Sequence, residues 1–424
     1  MITFICALCV MLVPLATAGL ALMYQGLGRS RSAAHTMLAT LCVLSVTAII
    51  FVIFGFSWAG ITGGASHSFT AGGVHWNWLG AEPFLARGDH FDGSLGSLTL
   101  CFQIFAVGLA GLIPISAGID RWRLAAICLS SALLAGVTYP LFAHWAWGGG
   151  WLAQLGSNFG IGQGFVDGGG SGTIQVIGGI TALSVAWILG PRRGKYEDGM
   201  ATAIPGHNIV LVLFGCILAL VGWIALNCAG AILFYAAEPP QIAKVVVNTL
   251  LAASASCLTA VVITQLRYTK PDASISANGW IGGMVAGSAG CAFVSPGAAI
   301  LIGIGAGMLV TYFVEIFEMH LYVDDPGGAI SVHAIAGTWG LVAVGLFGTV
   351  TSGSRTGFLL AQLVAVATLL GFMLPLIYAG NLLLNRFVPY RVDPSGDRKG
   401  MDIRELGAGA YPEFVIHADE FIPR

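Results

Sequence analysis

Two stretches of this chain carry polar residues that can do chemistry inside runs that are otherwise apolar. DGGGSGTIQVIGGITAL, from Asp167 to Leu183, aligns without a gap on DPGGAISVHAIAGTWGL, from Asp325 to Leu341. Each opens on an Asp and glycines, and eight positions after that Asp comes one large polar side chain, Gln175 in the first and His333 in the second. An imidazole donates, accepts and titrates near neutrality, so it can pass a proton. An amide offers a fixed donor and acceptor and does not titrate there. Such a pair is suited to holding or orienting a passing molecule and less to relaying its protons. The sequence offers no nucleophile placed beside a base, no metal-ligand cluster and no phosphate-binding glycine loop. An enzyme, a cofactor and a nucleic-acid partner are therefore without support. The nine cysteines lie almost entirely within apolar runs and show no CxxC spacing, so they read as small buried residues.

The elements that must position Gln175 and His333 follow from composition. With 56% hydrophobic residues, 9% charged residues and a mean hydropathy of +0.84, the chain reads as an all-α integral membrane protein whose surroundings are lipid. Its apolar runs are too long, and alternate too little, for barrel strands. About eleven spans are predicted, at roughly 3–26, 33–60, 96–118, 123–147, 170–190, 207–235, 242–266, 277–293, 298–317, 327–348 and 357–384. The opening MITFICALCVMLVPLATAG carries a signal-like ATA. It lacks a basic leader and its apolar run continues through GLALMY, so it reads as the first span. Arg29 and Arg31, Arg121 and Arg123, Arg192 to Lys195, Arg267 and Lys270, and the tail from Arg386 fall on alternate connections. The bias toward basic residues on that side predicts an outer N-terminus and a cytoplasmic C-terminus in the cell membrane.

This topology sends the helix after Asp167 inward and the helix after Asp325 outward. Two inverted repeats, about 1–190 and 207–348, then precede a final helix at 357–384 and a tail at 385–424. Eight residues at 1.5 Å each carry Gln175 and His333 roughly 12 Å in from opposite faces of a core about 30 Å thick, so they are expected to meet near the middle. Asp167 and Asp325 are expected to cap their helices, since a carboxylate accepts from orphan N–H groups there. On the outer side, Asp167 can also attract a cation.

These motifs resemble the ammonium transporter (Amt/Mep/Rh) family over nearly the whole chain. GLALMYQGLGRSRS, HWAWGGGWL, VDGGGSGTIQVIGG, LGPRRGKY, PGHNIVLVLFG, GWIALN and DDPGGAISVHAIAGTWG occur in the family's order. The resemblance implies an eleven-helix homotrimer with a pore in each protomer, an outer recruitment site, a phenylalanine gate and a midplane histidine pair. His333 takes the second histidine's place and Gln175 the first's. Trp147 and Phe102 keep the recruitment-site Trp and one gate Phe. Ala106 and Leu226 stand where gate phenylalanines belong, with Phe105 a neighbour able to swing over, and Gly230 replaces a recruitment-site Ser. Ala146, Ala219 and Ala329 match positions that usually carry Val or Leu, Met23 one that usually carries Phe, and Trp223 joins the pore lining.

Trimmed positions and a missing relay together suggest a widened pore for an ammonium-type cation that sheds no proton, such as a methylated amine or choline. Such a cation would be held by cation–π contact with Trp147 and Phe102. Two other readings stay open: a plain ammonium transporter, and a non-conducting ammonium receptor signalling through its tail. GMDIRELGAGAY resembles the family's tail motif, but Leu406 and Ala408 replace its His and Glu. This weakens the expectation of a PII-type regulator and favours a tail packed against the membrane domain.

Overall fold

The computed structural model describes residues 1–87, 91–197 and 199–411. Its long apolar runs form helices because helices satisfy every backbone group internally. Among the described residues ten are long and apolar enough to cross a membrane: α1 (Ile2–Leu27), α2 (Ser30–Ala59), α3 (Leu95–Gly118), α4 (Leu124–Ala146), α5 (Ser171–Leu189), α6 (Ile209–Tyr235), α7 (Pro239–Tyr268), α9 (Pro296–His320), α10 (Ile330–Phe347) and α11 (Arg355–Phe387). The eleventh, α8 (Ala273–Gly290), is equally long as a span but dilutes its apolar residues with glycine and serine. It begins four residues before the start predicted for it.

The path of α5 and α10 follows from their ends. Arg192, just beyond α5, binds Asp324, just before α10, at 2.9 Å. One helix therefore starts where the other finishes, and the two run in opposite directions. Their crossing is close because of two glycines. A Cβ on Gly179 would lie 2.3 Å from the Ala334 nitrogen, and one on Gly337 would lie 2.7 Å from a Val176 methyl. Gly179 and Gly337 occupy the same position in the two repeats, as do Val176 and Ala334. The crossing thus has the local two-fold relation expected of inverted repeats.

The chain is not purely helical. Between α2 and α3, strands β1 (Ser66–Ala71) and β2 (Val74–Gly80) form an antiparallel hairpin. Its turn residues Gly72 and Gly73 have φ of 61° and 77°, the pair of positive values a tight hairpin turn requires. The register slips beside Trp78, where His67 pairs with Leu79 but Ser68 pairs with Asn77. A second, two-residue pairing joins Tyr196–Glu197 to Met200–Ala201. Neither was foreseen among the spans.

At the opposite end the tail packs as expected and caps helices. Asp402 accepts from the Ala34 and His35 nitrogens at 3.2 and 2.7 Å, and Glu405 accepts from the Leu124 nitrogen at 3.2 Å. The part of the tail at 412–424 lies outside the described residues.

Candidate functional site

Gln175 and His333 meet at the crossing of α5 and α10, where both helices open with a wide π turn, Ser171–Val176 and Ile330–Ile335. His333 Nδ1 lies 2.8 Å from Gln175 Oε1, and His333 Nε2 lies 3.0 Å from the Tyr24 hydroxyl. With the amide oxygen accepting, Nδ1 carries the proton and Nε2 accepts from Tyr24, which is the neutral ring. Trp223 lies along the imidazole at 6.5 Å and 27°, and its indole N–H donates to Ser288 Oγ at 3.0 Å. Tyr24 and Ser288 were not identified from sequence, although Tyr24 sits in the GLALMYQ motif.

Both Asp residues cap as expected, and they do so at matching repeat positions. Asp167 Oδ2 accepts from the Gly172 and Thr173 nitrogens at 3.0 and 2.8 Å and from Thr173 Oγ1 at 2.8 Å. Asp325 Oδ2 accepts from the Ile330 nitrogen at 2.7 Å. Burial raises the carboxyl pKa of Asp167, with the bonds from Thr173 and Gly172 opposing, and pushes that of Asp325 up to about 6. Asp167 is fully buried. Its main chain joins the Trp147 end: the carbonyl accepts from Trp147 Nε1 at 2.9 Å and the nitrogen donates to the Tyr235 hydroxyl at 2.8 Å.

A buried ion network holds the loop before α10. Asp324 accepts from Arg192 N, Nε and Nη2 at 2.8, 2.9 and 3.0 Å, while Arg192 also reaches Asp120 at 3.1 Å. Burial by itself would raise the Asp324 carboxyl, but Arg121 and Arg192 outweigh it and hold the group well below the usual carboxylate range. Removing one member of such a network leaves a buried charge unpaired, a cost of about 3–5 kcal/mol.

The Trp147 end is built from rings. Phe234, unrecognised from sequence, stacks on Trp147 with centroids 4.4 Å apart and planes at 6°. Phe102 meets Trp147 and Phe234 edge-on at 6.2 and 5.5 Å. Beside them a cavity of about 310 Å³ is lined by Ala146, Trp147, Phe234, Tyr235 and Phe293, with Gln163 and Thr351 also in its wall. The half-buried Phe105 is not among the rings touching Phe102.

The side chains expected along the pore are buried in this structure. Met23, Phe102, Ala106, Gln175, Ala219, Trp223, Leu226, Ala329 and His333 each expose at most 1% of their surface. One of the small residues has a packing reason, and another lies at a close helix crossing. A Cβ on Gly230 would lie 2.5 Å from the Gly168 carbonyl, so main chain fills the space a serine would take. Ala219 sits where α1 crosses α6, its nitrogen 2.5 Å from a Cβ placed on Gly19. Of the trimmed positions, Ala146 does line the cavity.

The hairpin braces this end through one residue that sequence reasoning passed over. Asn77 Oδ1 lies 2.9 Å from His144 Nε2, its Nδ2 donates to the Gly149 carbonyl at 3.2 Å, and its carbonyl accepts from the Trp151 nitrogen at 3.0 Å. The slip at Trp78 turns Asn77 onto the loop that carries Trp147, and Trp145 Nε1 donates to the Trp78 carbonyl at 2.8 Å.

At the tail end, His207 Nδ1 donates to the Gly28 carbonyl at 3.0 Å. Its Nε2 is shared by Gln25 Nε2 at 3.3 Å and the Tyr411 hydroxyl at 3.2 Å. The second large cavity, about 490 Å³, opens at this end beside Leu27, Arg192 and Asp325.

Comparison with known proteins places this arrangement. The model of the family described as Ammonium Transporter Family matches residues 3–411. The ammonium transporter Amt2 of Archaeoglobus fulgidus is 34% identical, with 99% of this chain and 90% of that protein covered. An ammonium transporter of Bacillus subtilis is 30% identical, covering 96% of this chain and 97% of its own. The solved structure of a sensor Amt protein superposes with a TM-score of 0.86 at 26% identity, over 96% of this chain and 98% of that one. Candida albicans Mep2 shares the fold with a TM-score of 0.81 at 21% identity, over 97% and 90% of the two chains.

Proposed function

This chain belongs to the ammonium transporter family, and from that premise we propose that it carries ammonium-type cations and selects among them for a methylated or quaternary amine such as choline. It is a multi-pass membrane transporter and not an enzyme. The observation that carries the substrate choice is the chemistry of the Trp147-end cavity. Five of its eleven wall residues are aromatic, Trp147, Phe165, Phe234, Tyr235 and Phe293, and among its polar side chains Gln163 accepts from Thr351 N and Oγ1 at 2.7 Å each while the Tyr235 hydroxyl accepts from the Asp167 nitrogen. Ammonium brings four N–H donors that need acceptors. A trimethylated head brings none and is attracted to ring faces by about 0.5–2 kcal/mol per contact. A cavity of about 310 Å³ is some ten times a water's share of the liquid, which is about 30 Å³, so such a head fits.

In this reading the cation docks beside Trp147 from outside the cell and Phe102 and Phe234 swing aside to admit it. The protein works as a homotrimer with its tail in the cytoplasm, and a PII-type partner finds no matching tail motif. A second reading, an ammonium receptor, is favoured by the closed middle and by the 26% identity to a sensor Amt protein. Ammonium transport as such is what the names of the Archaeoglobus and Bacillus relatives carry.

Liposomes containing the purified protein separate the three readings. Uptake of choline or methylammonium, with ammonium weaker, is the expected result. Ammonium flux with no binding of any alkylated amine gives the plain transporter. Ammonium binding without flux of any cation gives the receptor.

A further inference from the structure

We propose that Gln362, on α11, is a positioning residue for the Trp147 site: it holds the main chain of Val166 and through it sets the Asp167 carbonyl to which the Trp147 indole is tied. The inference rests on the reading that a cation docks beside Trp147, and it adds a residue that lies outside the wall of that cavity.

Residues 165–169 belong to no helix or strand, so regular structure answers none of their main-chain groups. Their N–H groups are shared out among distant segments. Phe165 donates to the Leu152 carbonyl at 3.2 Å, Asp167 to the Tyr235 hydroxyl at 2.8 Å, and Gly168 and Gly169 to the Ala289 and Ser288 carbonyls at 2.9 and 2.8 Å. Val166 is answered from α11. With the amide oriented to match its neighbours, Gln362 Oε1 accepts from the Val166 nitrogen at 2.9 Å and Nε2 donates to the Val166 carbonyl at 3.2 Å.

Two successive peptide units are thereby held at both poles. In the first, Gln362 takes the Val166 carbonyl and Tyr235 the Asp167 nitrogen. In the second, Trp147 Nε1 donates to the Asp167 carbonyl at 2.9 Å, and Ala289 accepts from the Gly168 nitrogen. Turning the first unit turns the second, and the indole with it.

Gln362 is fully buried. A membrane helix carries an apolar side chain at such a place without cost, whereas a buried amide is tolerated only where its donor and acceptor are met. Leucine there would leave both groups of Val166 unanswered, one residue from the carbonyl that holds Trp147. Other contacts already seat the segment against α11: a Cβ on Gly162 would lie 2.5 Å from the Phe358 nitrogen. What Gln362 adds is the direction of the peptide planes.

Equilibrium binding of methylammonium to the purified full-length protein, with uptake into liposomes measured alongside, tests the assignment. Gln362→Leu is expected to weaken binding about five- to tenfold, with the maximal uptake rate within about twofold of wild type. In a Trp147→Leu background the same substitution should add less than about twofold, because the residue acts through the indole. Gln362→Glu, which keeps an acceptor for the Val166 nitrogen, should recover part of the affinity, and it replaces Gln362→Leu in the comparison if that variant does not fold. Unchanged binding, losses that multiply in the double variant, or a fall in maximal rate alone overturns the proposal. If Trp147→Leu itself leaves binding intact, the docking reading falls with it. If Trp147 matters and Gln362 does not, this proposal alone is overturned.

Discussion

Gln175 Oε1 accepts a 2.8 Å hydrogen bond from His333 Nδ1 on a helix running in the opposite direction. The amide's own nitrogen has no partner, and Tyr24 holds the far side of the imidazole. The ring is thus fixed at both nitrogens by groups that do not titrate near neutrality, which sets the first prediction. Gln175→His should create a second titratable ring at this point and raise proton-coupled ammonium current, read by electrophysiology on a supported membrane. Gln175→Leu should leave Nδ1–H unsatisfied and cost about 1–3 kcal/mol of stability. Equal currents in wild type and Gln175→His would remove the relay argument.

Phe234 covers one face of Trp147, so the two rings compete for the role of platform. Trp147→Leu should weaken binding of choline or methylammonium about tenfold, equivalent to about 1.4 kcal/mol. Phe234→Ala should uncover the indole and improve binding of the bulkier amine relative to ammonium. Intrinsic tryptophan fluorescence titrations can follow both. A Phe234→Ala protein that binds neither amine better would show that the stack is itself the site.

Asn77 is expected to act through the Trp147 loop without touching substrate. Asn77→Ala removes bonds to His144 and Gly149 and should raise the apparent KM several-fold at unchanged maximal rate, while Asn77→Asp, which keeps the acceptor facing His144, should recover part of the loss. A fall in maximal rate alone would assign the hairpin a purely structural part.

The Asp324 network gives a pH test with a definite sign. Its carboxyl is held below the ordinary range in the folded protein, so the associated stability is fully present above pH about 4 and is lost as pH falls through the folded pKa. Asp324→Asn should lower stability by about 3–5 kcal/mol, constant between pH 5 and 8, with the deficit shrinking below pH about 4. Thermal unfolding in detergent across that range measures it.

A substitution at the crossing tests the fold's geometry. Gly179→Val should drive a branched side chain into the Ala334 main chain and abolish assembly, and Gly337→Val should do the same at Val176. Retention of a folded, monodisperse protein in either variant would contradict the close approach.

Much of this was legible in the sequence because it depends on local rules. Apolar length located the helices, the eight-residue spacing brought Gln175 and His333 together, and the acidic residues at 167 and 325 capped as their positions required. What escaped was set by packing between distant segments. Nothing local says that Phe234 turns onto Trp147, that Gly230 is small because the Gly168 carbonyl needs the space, or that Gly19 is small because the Ala219 main chain crosses it. Gly230, read from the sequence as room for a substrate, has this packing reason of its own. The hairpin left a signal that span-by-span reading ignored: the Gly72–Gly73 pair flanked by Thr, Val and Trp.

The row Gln175–His333–Tyr24 has a further consequence for timing. As it stands, each member donates toward Gln175: the hydroxyl to the ring, the ring to the amide oxygen. Rotating the amide by half a turn brings its nitrogen against Nδ1–H, so the row reverses only if the ring's proton also moves from Nδ1 to Nε2 and the hydroxyl turns to accept it. The row is therefore a memory element of one bit. Unlike a symmetric pair of rings, it is rewritten only by a side-chain rotation inside a close-packed helix crossing together with a change of ring tautomer, and any cycle that must read it in both directions runs no faster than those two steps.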